Sequence, residues 1–225
     1  LRITVIDPEF NVALSVVLTM ALLFSVIFVC AVSLFTVDNE RKKAEADLYH
    51  MASHDTLTGL SNRRAFIEQL TKRIDLATRY KDYTYAVAYL DLDGFKKVND
   101  SLSHMAGDHL LREVANILQK CARASDTAAR LGGDEFTILL ERINGPQDVV
   151  AFISRIQKSI AEAIEYQGKE IKFGISFGIA LAQPDHTSPD KILQAADSAL
   201  YAAKSAGKGC YRFAGEATAA GKQIH

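Results

Sequence analysis

The stretch Arg130-Leu131-Gly132-Gly133-Asp134-Glu135-Phe136 decides how the chain is read. It separates the short run Asp126–Ala129 from the apolar run Phe136-Thr137-Ile138-Leu139-Leu140. Two strand-like runs meeting at Gly-Gly predict a β-hairpin. A turn without side chains lets the backbone come close to a ligand. Asp134 and Glu135 follow at once, and adjacent acids beside such a turn can hold a divalent cation or take up a proton. Taken alone, Gly-Gly-Asp is equally good chemistry for a solvated turn, so the flanking sequence has to discriminate.

Outward from the hairpin, strands alternate with helices. Upstream, Ser61 or Asn62 can cap a helix running to about Arg79, with Phe66, Leu70, Ile74 and Ala77 on one face. Tyr83–Leu90 is apolar, β-branched and aromatic, which predicts a strand. A second helix is expected from Asp108 to about Arg123, with Leu110, Leu111, Val114, Ile117 and Leu118 inward. Downstream, Gln147–Tyr166 carries a helical stripe of Val149, Phe152, Ile153, Ile156, Ile160 and Ile164. Ile171–Leu181 reads as a strand, Pro189–Ser205 as a helix and Cys210–Phe213 as a short last strand. Residues 214–225 are small and polar, as in a flexible tail. A hairpin amid alternating strands and helices predicts an α/β domain with an α+β-type mixed sheet flanked by helices, not a purely parallel doubly wound one.

Strand ends are where such domains place ligands. Asp91 is expected at the end of the Tyr83–Leu90 strand. If that strand pairs with the hairpin, Asp91 faces Asp134 and Glu135. Three carboxylates around one point are costly without a cation, and hard oxygen ligands suit Mg2+. Gly94-Phe95-Lys96 then reads as a phosphate cradle: the glycine permits the turn, the helix-start N–H groups face the anion, and Lys96 adds charge. The bland alternative is Asx-turn chemistry followed by an amphipathic helix. Asn99, His104 and Asp108 follow across an expected loop containing Gly107. An amide and a carboxylate can read the hydrogen-bonding edge of guanine. Taken singly, His104 reads as a loop histidine, and Lys204 and Lys208 as solvated lysines.

The N-terminal quarter differs in composition. Val12–Val37 is apolar and uncharged apart from a few Ser and Thr, and exceeds the ~20 residues needed to cross a bilayer. It is too long for the core of a signal peptide and lacks a basic segment before it, so a transmembrane helix is expected over 12–37. Arg41-Lys42-Lys43 lies on its C-terminal side, which predicts a single pass through the inner membrane with the following domain in the cytoplasm. Residues 1–11 look like a strand end and a turn, and are expected to close an extracytoplasmic region of a longer protein. Residues 38–54 lack Gly and Pro, and Val37, Ala44, Leu48 and Met51 recur at spacings of 7, 4 and 3. That stripe fits either a solvated helical connector or a short coiled coil pairing two chains. Net charge is −1 over 225 residues, which gives no support for binding a nucleic acid polymer. Cys30, Cys121 and Cys210 are too few and too dispersed for a disulfide framework or a zinc site.

As a set, five ordered motifs resemble the GGDEF domain of diguanylate cyclases: Asp55-x-Leu57-Thr58-Gly59-Leu60-x-Asn62-Arg63, Asp91-x-Asp93-x-Phe95-Lys96-x-Val98-Asn99-Asp100, His104-x-x-Gly107-Asp108, Arg130-x-Gly132-Gly133-Asp134-Glu135-Phe136 and Ala199-x-Tyr201-x-Ala203-Lys204. The resemblance covers about residues 48–213, with the catalytic domain itself expected over 55–213. It implies a fold like the palm of nucleotide cyclases and polymerases. It also implies one GTP and Mg2+ or Mn2+ per protomer, and a homodimer in which each 3′-OH attacks the partner's α-phosphate to give cyclic di-GMP and two pyrophosphates. By the same resemblance Asp91, the Leu92 carbonyl, Asp134 and Glu135 would serve the metal, and Asp134 would accept the proton. Lys96 would stabilise transferring charge, with Glu135 beside it. Phe95, Lys96, Asn99, His104, Asp108, Gly132, Gly133, Lys204 and Lys208 would bind substrate. The family often has Arg-Asn where this chain has Lys208-Gly209; lysine keeps the charge but loses the fork. Arg123-Ala124-Ser125-Asp126 resembles the family's RxxD site, where product binds and inhibits.

Two other readings remain open on sequence. One is a catalytically silent GGDEF module that binds GTP or cyclic di-GMP and signals by contacts, against which the intact acids at 91, 134 and 135 argue. The other is a cyclase that takes ATP, against which Asp108 argues.

Overall fold

The computed structural model describes residues 8–160 and 164–215. The chain divides into two compact units, residues 1–50 and residues 51–225.

The first unit consists of α1 (Pro8–Ser53), whose last turn belongs to the second unit. The expected change from membrane segment to connector near residue 38 leaves no break, because no glycine or proline interrupts the helix after Pro8. Pro8–Asn11, expected to be a turn, are helical. Proline suits the first helical position, where its missing N–H costs nothing. The strand expected before Asp7 lies outside the described residues. Within Val12–Lys43 lies a helical stretch long and apolar enough to cross a membrane. Ser15, Thr19, Ser25 and Thr36 each donate to a carbonyl three or four residues back within the helix. The side chains of residues 44–50, and with them the middle of the coiled-coil stripe, lie outside the described residues.

The second unit is built on a five-stranded sheet in the order β2-β3-β1-β6-β7. The strands are β1 (Tyr85–Asp93), β2 (Thr127–Gly132), β3 (Glu135–Glu141), β6 (Gly174–Leu181) and β7 (Tyr211–Phe213). All pairs are antiparallel except β6 with β7, so the sheet is mixed as expected. Helices α2 (Arg63–Arg79), α3 (Phe95–Ser101), α4 (His104–Cys121), α5 (Pro146–Ile160) and α6 (Pro189–Ser205) accompany it. The central strand β1 is apolar at nearly every position because both its faces are covered. Ala86, Ala88, Leu90 and Leu92 pack in one cluster with the buried faces of α4 and α5. Tyr85, Val87 and Tyr89 pack in the other with α2 and α6.

Boundaries of three elements differ from the sequence expectation, each for a local reason, and the choice left open at the α2 cap is resolved. β1 continues through Asp91 to Asp93, since Leu92, 1% exposed, extends the buried face beyond the acids. α4 begins at His104, not Asp108, because Ser103 caps it by accepting from the Ala106 N–H at 3.1 Å; Gly107 is therefore helical, not in a loop. Asn62, not Ser61, caps α2, accepting from the Ala65 N–H at 3.0 Å. The helix expected to reach Tyr166 is described only to Ile160, and Ile164 belongs to a small hairpin of β4 (Ile164–Tyr166) and β5 (Lys169–Ile171). The Ile160–Ile164 spacing merged a helix with a strand. Residues 216–225 of the expected tail lie outside the described residues.

Candidate functional site

The sheet register builds the site. Asp91 stands opposite Glu135 on one side and Ser176 on the other. The sequence pairing of Asp91 with the hairpin acids is thus what the backbone imposes. The hairpin turns through Gly133 and Asp134, and Gly133 adopts a φ of +55°, a conformation that glycine takes without strain.

The tip is tied from beneath. The Arg130 Nε and Nη2 donate to the Gly133 carbonyl at 3.0 and 2.8 Å. Its Nη1 donates to Asp55 Oδ1 at 2.9 Å, and Asp55 Oδ1 also accepts from the Thr58 N–H and hydroxyl at 2.9 and 2.6 Å. Burial pushes the Asp55 carboxyl up, but the hydrogen bonds from Thr58 and Arg130 outweigh it and hold the group below its ordinary value. Sequence reasoning quoted Asp55, Thr58 and Arg130 without giving them a task, because residues 75 positions apart disclose no contact by spacing. Replacing Arg130 by Ala is expected to raise the pH at which Asp55 titrates and to slacken the tip. Misplaced reacting groups cost up to about 100-fold in rate. Carboxyl NMR titration of the variant checks this; an Asp55 titration identical to wild type would refute the tie.

Asp91 and Glu135 lie near enough to Asp134 to act on it through their charge. Among the described residues no three carboxylate, imidazole or thiol groups converge closely enough to hold a metal ion. Two of the acids have protein partners: the Lys204 Nζ lies 2.7 Å from Asp91 Oδ2, and the Tyr89 hydroxyl donates to Glu135 Oε2 at 3.0 Å. Asp134 is different. Burial, and next the negative charge of Asp91, raise its carboxyl above the ordinary value, with Glu135 adding to the effect. A group so placed favours a proton or another positive charge. Asp91, Asp134 and Glu135 are hard oxygen donors that fit a divalent cation such as Mg2+; in this structure Asp91 also meets Lys204 and Glu135 also meets Tyr89.

The remaining predicted residues fall into three places. Phe95, Lys96 and Asn99 lie on α3, which opens at Gly94. Gly107 of α4 lets Asn99 pack close: a Cβ there would stand 2.0 Å from Asn99 Oδ1 and 3.2 Å from the Phe95 ring. The Asn99 Oδ1 is buried with no protein partner, so it is available to a ligand donor. His104 and Asp108 are one turn apart on α4 and so share its face. Lys204 ends α6 and Lys208 follows in the next loop. Arg123 and Asp126 lie at the other end of β2 from the tip. There the Arg123 N–H donates to Asp126 Oδ2 at 2.9 Å, closing a turn. A hollow beside it is lined by Arg123, Asp126, Asp148 and Arg155. Arg155 had no sequence signal and joins the group only through folding.

Residues 52–210 match the family model described as the diguanylate cyclase GGDEF domain. The chain belongs to this family. A GGDEF relative, the bifunctional diguanylate cyclase/cyclic di-GMP phosphodiesterase MucR of Pseudomonas aeruginosa, is 40% identical over 171 residues, 76% of this chain and 25% of MucR. Diguanylate cyclase A of Treponema denticola is 36% identical over 166 residues, 72% of this chain and 44% of its own. The chain thus spans less than half the length of these relatives. The solved GGDEF domain of TpbB from Pseudomonas aeruginosa superposes with a TM-score of 0.68 at 37% identity, covering 72% of this chain and 94% of that one. The GGDEF domain of DgcB from Caulobacter crescentus, solved in complex with c-di-GMP, gives 0.69 at 30% identity over 73% of this chain and 97% of its own.

Proposed function

We propose that this chain is a membrane-anchored diguanylate cyclase that acts as a homodimer. Each protomer holds one GTP, the 3′-OH of each attacks the α-phosphate of the other, and two pyrophosphates leave as two phosphodiester bonds close the cyclic di-GMP ring. The observation that carries the reading is Asp134 at a glycine tip beside Asp91, with its affinity for a proton raised by burial and by that neighbour. Such a group is suited to accept the 3′-OH proton. Asp91, the Leu92 carbonyl, Asp134 and Glu135 would hold Mg2+ or Mn2+; the ion would supply charge for the phosphates. Lys96 and the lysines at 204 and 208 would add positive charge to the triphosphate. Asn99 and Asp108 would read guanine, with Phe95, His104, Gly132 and Gly133 shaping the nucleotide site. The solved coiled coil and GGDEF domain of Caulobacter crescentus DgcB aligns with 82% of this chain at a TM-score of 0.73. That supports reading α1 as a stalk whose pairing brings two tips together. Arg41-Lys42-Lys43 beyond the apolar span supports a cytoplasmic domain below the inner membrane.

The full chain in detergent, given Mg2+ and GTP, is expected to yield cyclic di-GMP by mass spectrometry. A verified dimer that yields none overturns the reading. Product is expected to inhibit by binding at Arg123 and Asp126, so Arg123→Ala should raise the product concentration needed for half-inhibition by about tenfold, the loss of one charge-assisted contact worth some 1.5–3 kcal/mol. Unchanged inhibition would remove this assignment.

A further inference from the structure

Asp93 closes β1 and has no role in the reading above. Its side chain is held where three segments meet. The Ser176 hydroxyl of β6 donates to Asp93 Oδ2 at 2.7 Å, and the Gly209 N–H donates to the same oxygen at 3.0 Å. Gly209 also lies 3.2 Å from the Ser176 hydroxyl, so one backbone N–H is shared between two acceptors. Ser176 is fully buried. The strand partner of Asp93 is Gly174, where a Cβ would press to 3.3 Å against Asp93 Oδ2. The second oxygen, Oδ1, is buried and meets no protein donor.

The loop that Asp93 grips is unusual. Gly207, Lys208 and Gly209 have φ of +118°, +66° and +61° in succession. Lys208 bears the strain, since a side chain in the left-handed region is unfavourable and persists only where neighbours impose it. Two backbone bonds do so: the Lys208 N–H donates to the Ala203 carbonyl at 3.3 Å, and the Gly209 N–H donates to Asp93. Ala203 precedes Lys204, which pairs with Asp91. Asp91 and Asp93 thus bind the two ends of one segment, the first through a side chain and the second through the backbone.

We propose that Asp93 is a positioning residue for the triphosphate end of the substrate, holding the left-handed Gly207-Lys208-Gly209 loop, and so the Lys208 amine, in register with Lys204. The inference rests on the GTP-binding reading. It separates Asp93 from Asp91: the first sets the geometry of a cation-bearing loop and the second faces the reacting centre. It also gives a reason for Lys208-Gly209. A glycine at 209 takes the left-handed φ that aims its N–H at Asp93 without strain, and a lysine at 208 needs that tie to hold its strained backbone.

The test is a binding cycle on the full chain in detergent. Affinities for a non-hydrolysable GTP analogue and for GMP are measured for wild type, Asp93→Asn, Asp93→Ala, Lys208→Ala and Asp93→Ala with Lys208→Ala. Asp93→Ala is expected to weaken the triphosphate analogue about tenfold while leaving GMP within twofold. Asp93→Asn, which keeps an acceptor for Gly209, should recover most of the loss. In the Lys208→Ala background the Asp93→Ala loss should largely disappear, the non-additivity expected of residues that act through one another. Equal loss for both nucleotides, or full additivity, overturns the proposal. If Asp93→Ala does not fold, Asp93→Asn combined with Ser176→Ala carries the same comparison. Wild type that fails to bind the GTP analogue would instead overturn the GTP reading itself.

Discussion

Asp134→Asn is expected to lower turnover by about 10²–10⁴-fold, the range a positioned general base contributes, while leaving the domain as stable as wild type or more so at neutral pH. The two halves share one cause. In the folded chain burial, then the charge of Asp91, raises the Asp134 carboxyl above its ordinary value of 3.8. A raised folded value stabilises the fold below the unfolded value and loses that contribution as pH rises through the folded value. At neutral pH the ionised carboxylate is therefore a burden on the fold. Asparagine keeps the shape and removes the charge, so the melting temperature should not fall at pH 7. The advantage over wild type should shrink on acidification. A general base that destabilised its own site would be the trade expected where function and stability compete. Thermal melts at two pH values, beside an assay for cyclic di-GMP, read both halves. A variant that melts well below wild type at pH 7 would show Asp134 to be a structural residue. One that keeps full turnover would remove it as the base.

The hairpin, the covered strand β1 and helix α6 were legible in the sequence because each is a local signal. Gly-Gly marks the turn, an unbroken apolar run marks a strand buried on both faces, and Pro189 with the periodic Ile192, Leu193, Ala196 and Leu200 marks the helix. The acids at 91, 134 and 135 were legible as a group because pairing β1 with the hairpin leaves few registers. Their individual partners were not. Nothing near Glu135 announces that it accepts from Tyr89, 46 residues away, nor that Asp91 meets Lys204. The first is a diagonal pair set by the β1–β3 register, and the second is decided by how α6 lies on the sheet, which spacing does not encode. The helix expected through Ile164 shows the converse failure. A stripe of isoleucines at helical spacing continued past the helix into β4, since either element buries an apolar residue equally well. Gly107 and Gly178 carried a usable signal that was passed over: an isolated glycine inside a regular element often marks close approach of another backbone or side chain.

Gly178→Ala is expected to have the largest effect on the fold of any single methyl addition in the sheet. Gly178 lies mid-strand in β6, opposite Tyr89, at the crossing of α6. A Cβ built there would stand 2.1 Å from the Ala196 carbonyl oxygen, 2.2 Å from the Leu200 nitrogen and 2.7 Å from the Leu200 Cα. Those are backbone atoms of α6, with no rotamer to yield, so the whole helix must lift. Overpacking in a core costs about 1–3 kcal/mol and sometimes more; with a rigid neighbour the upper end applies. About 3 kcal/mol corresponds to a fall of roughly 6–12 °C in melting temperature for a domain of this size. The small residues Ala196, Ala199 and Ala203 on the buried face of α6 allow the helix this close to the sheet, and the closeness is what brings Lys204 to 2.7 Å from Asp91. Lifting α6 should therefore weaken the triphosphate end of the site as well as the fold. A melt of the full chain, with nucleotide binding measured below the transition, reads both. A melting temperature within 2 °C of wild type would mean that the α6 backbone does not lie against the sheet at Gly178, and would remove the packing that sets Lys204 on Asp91.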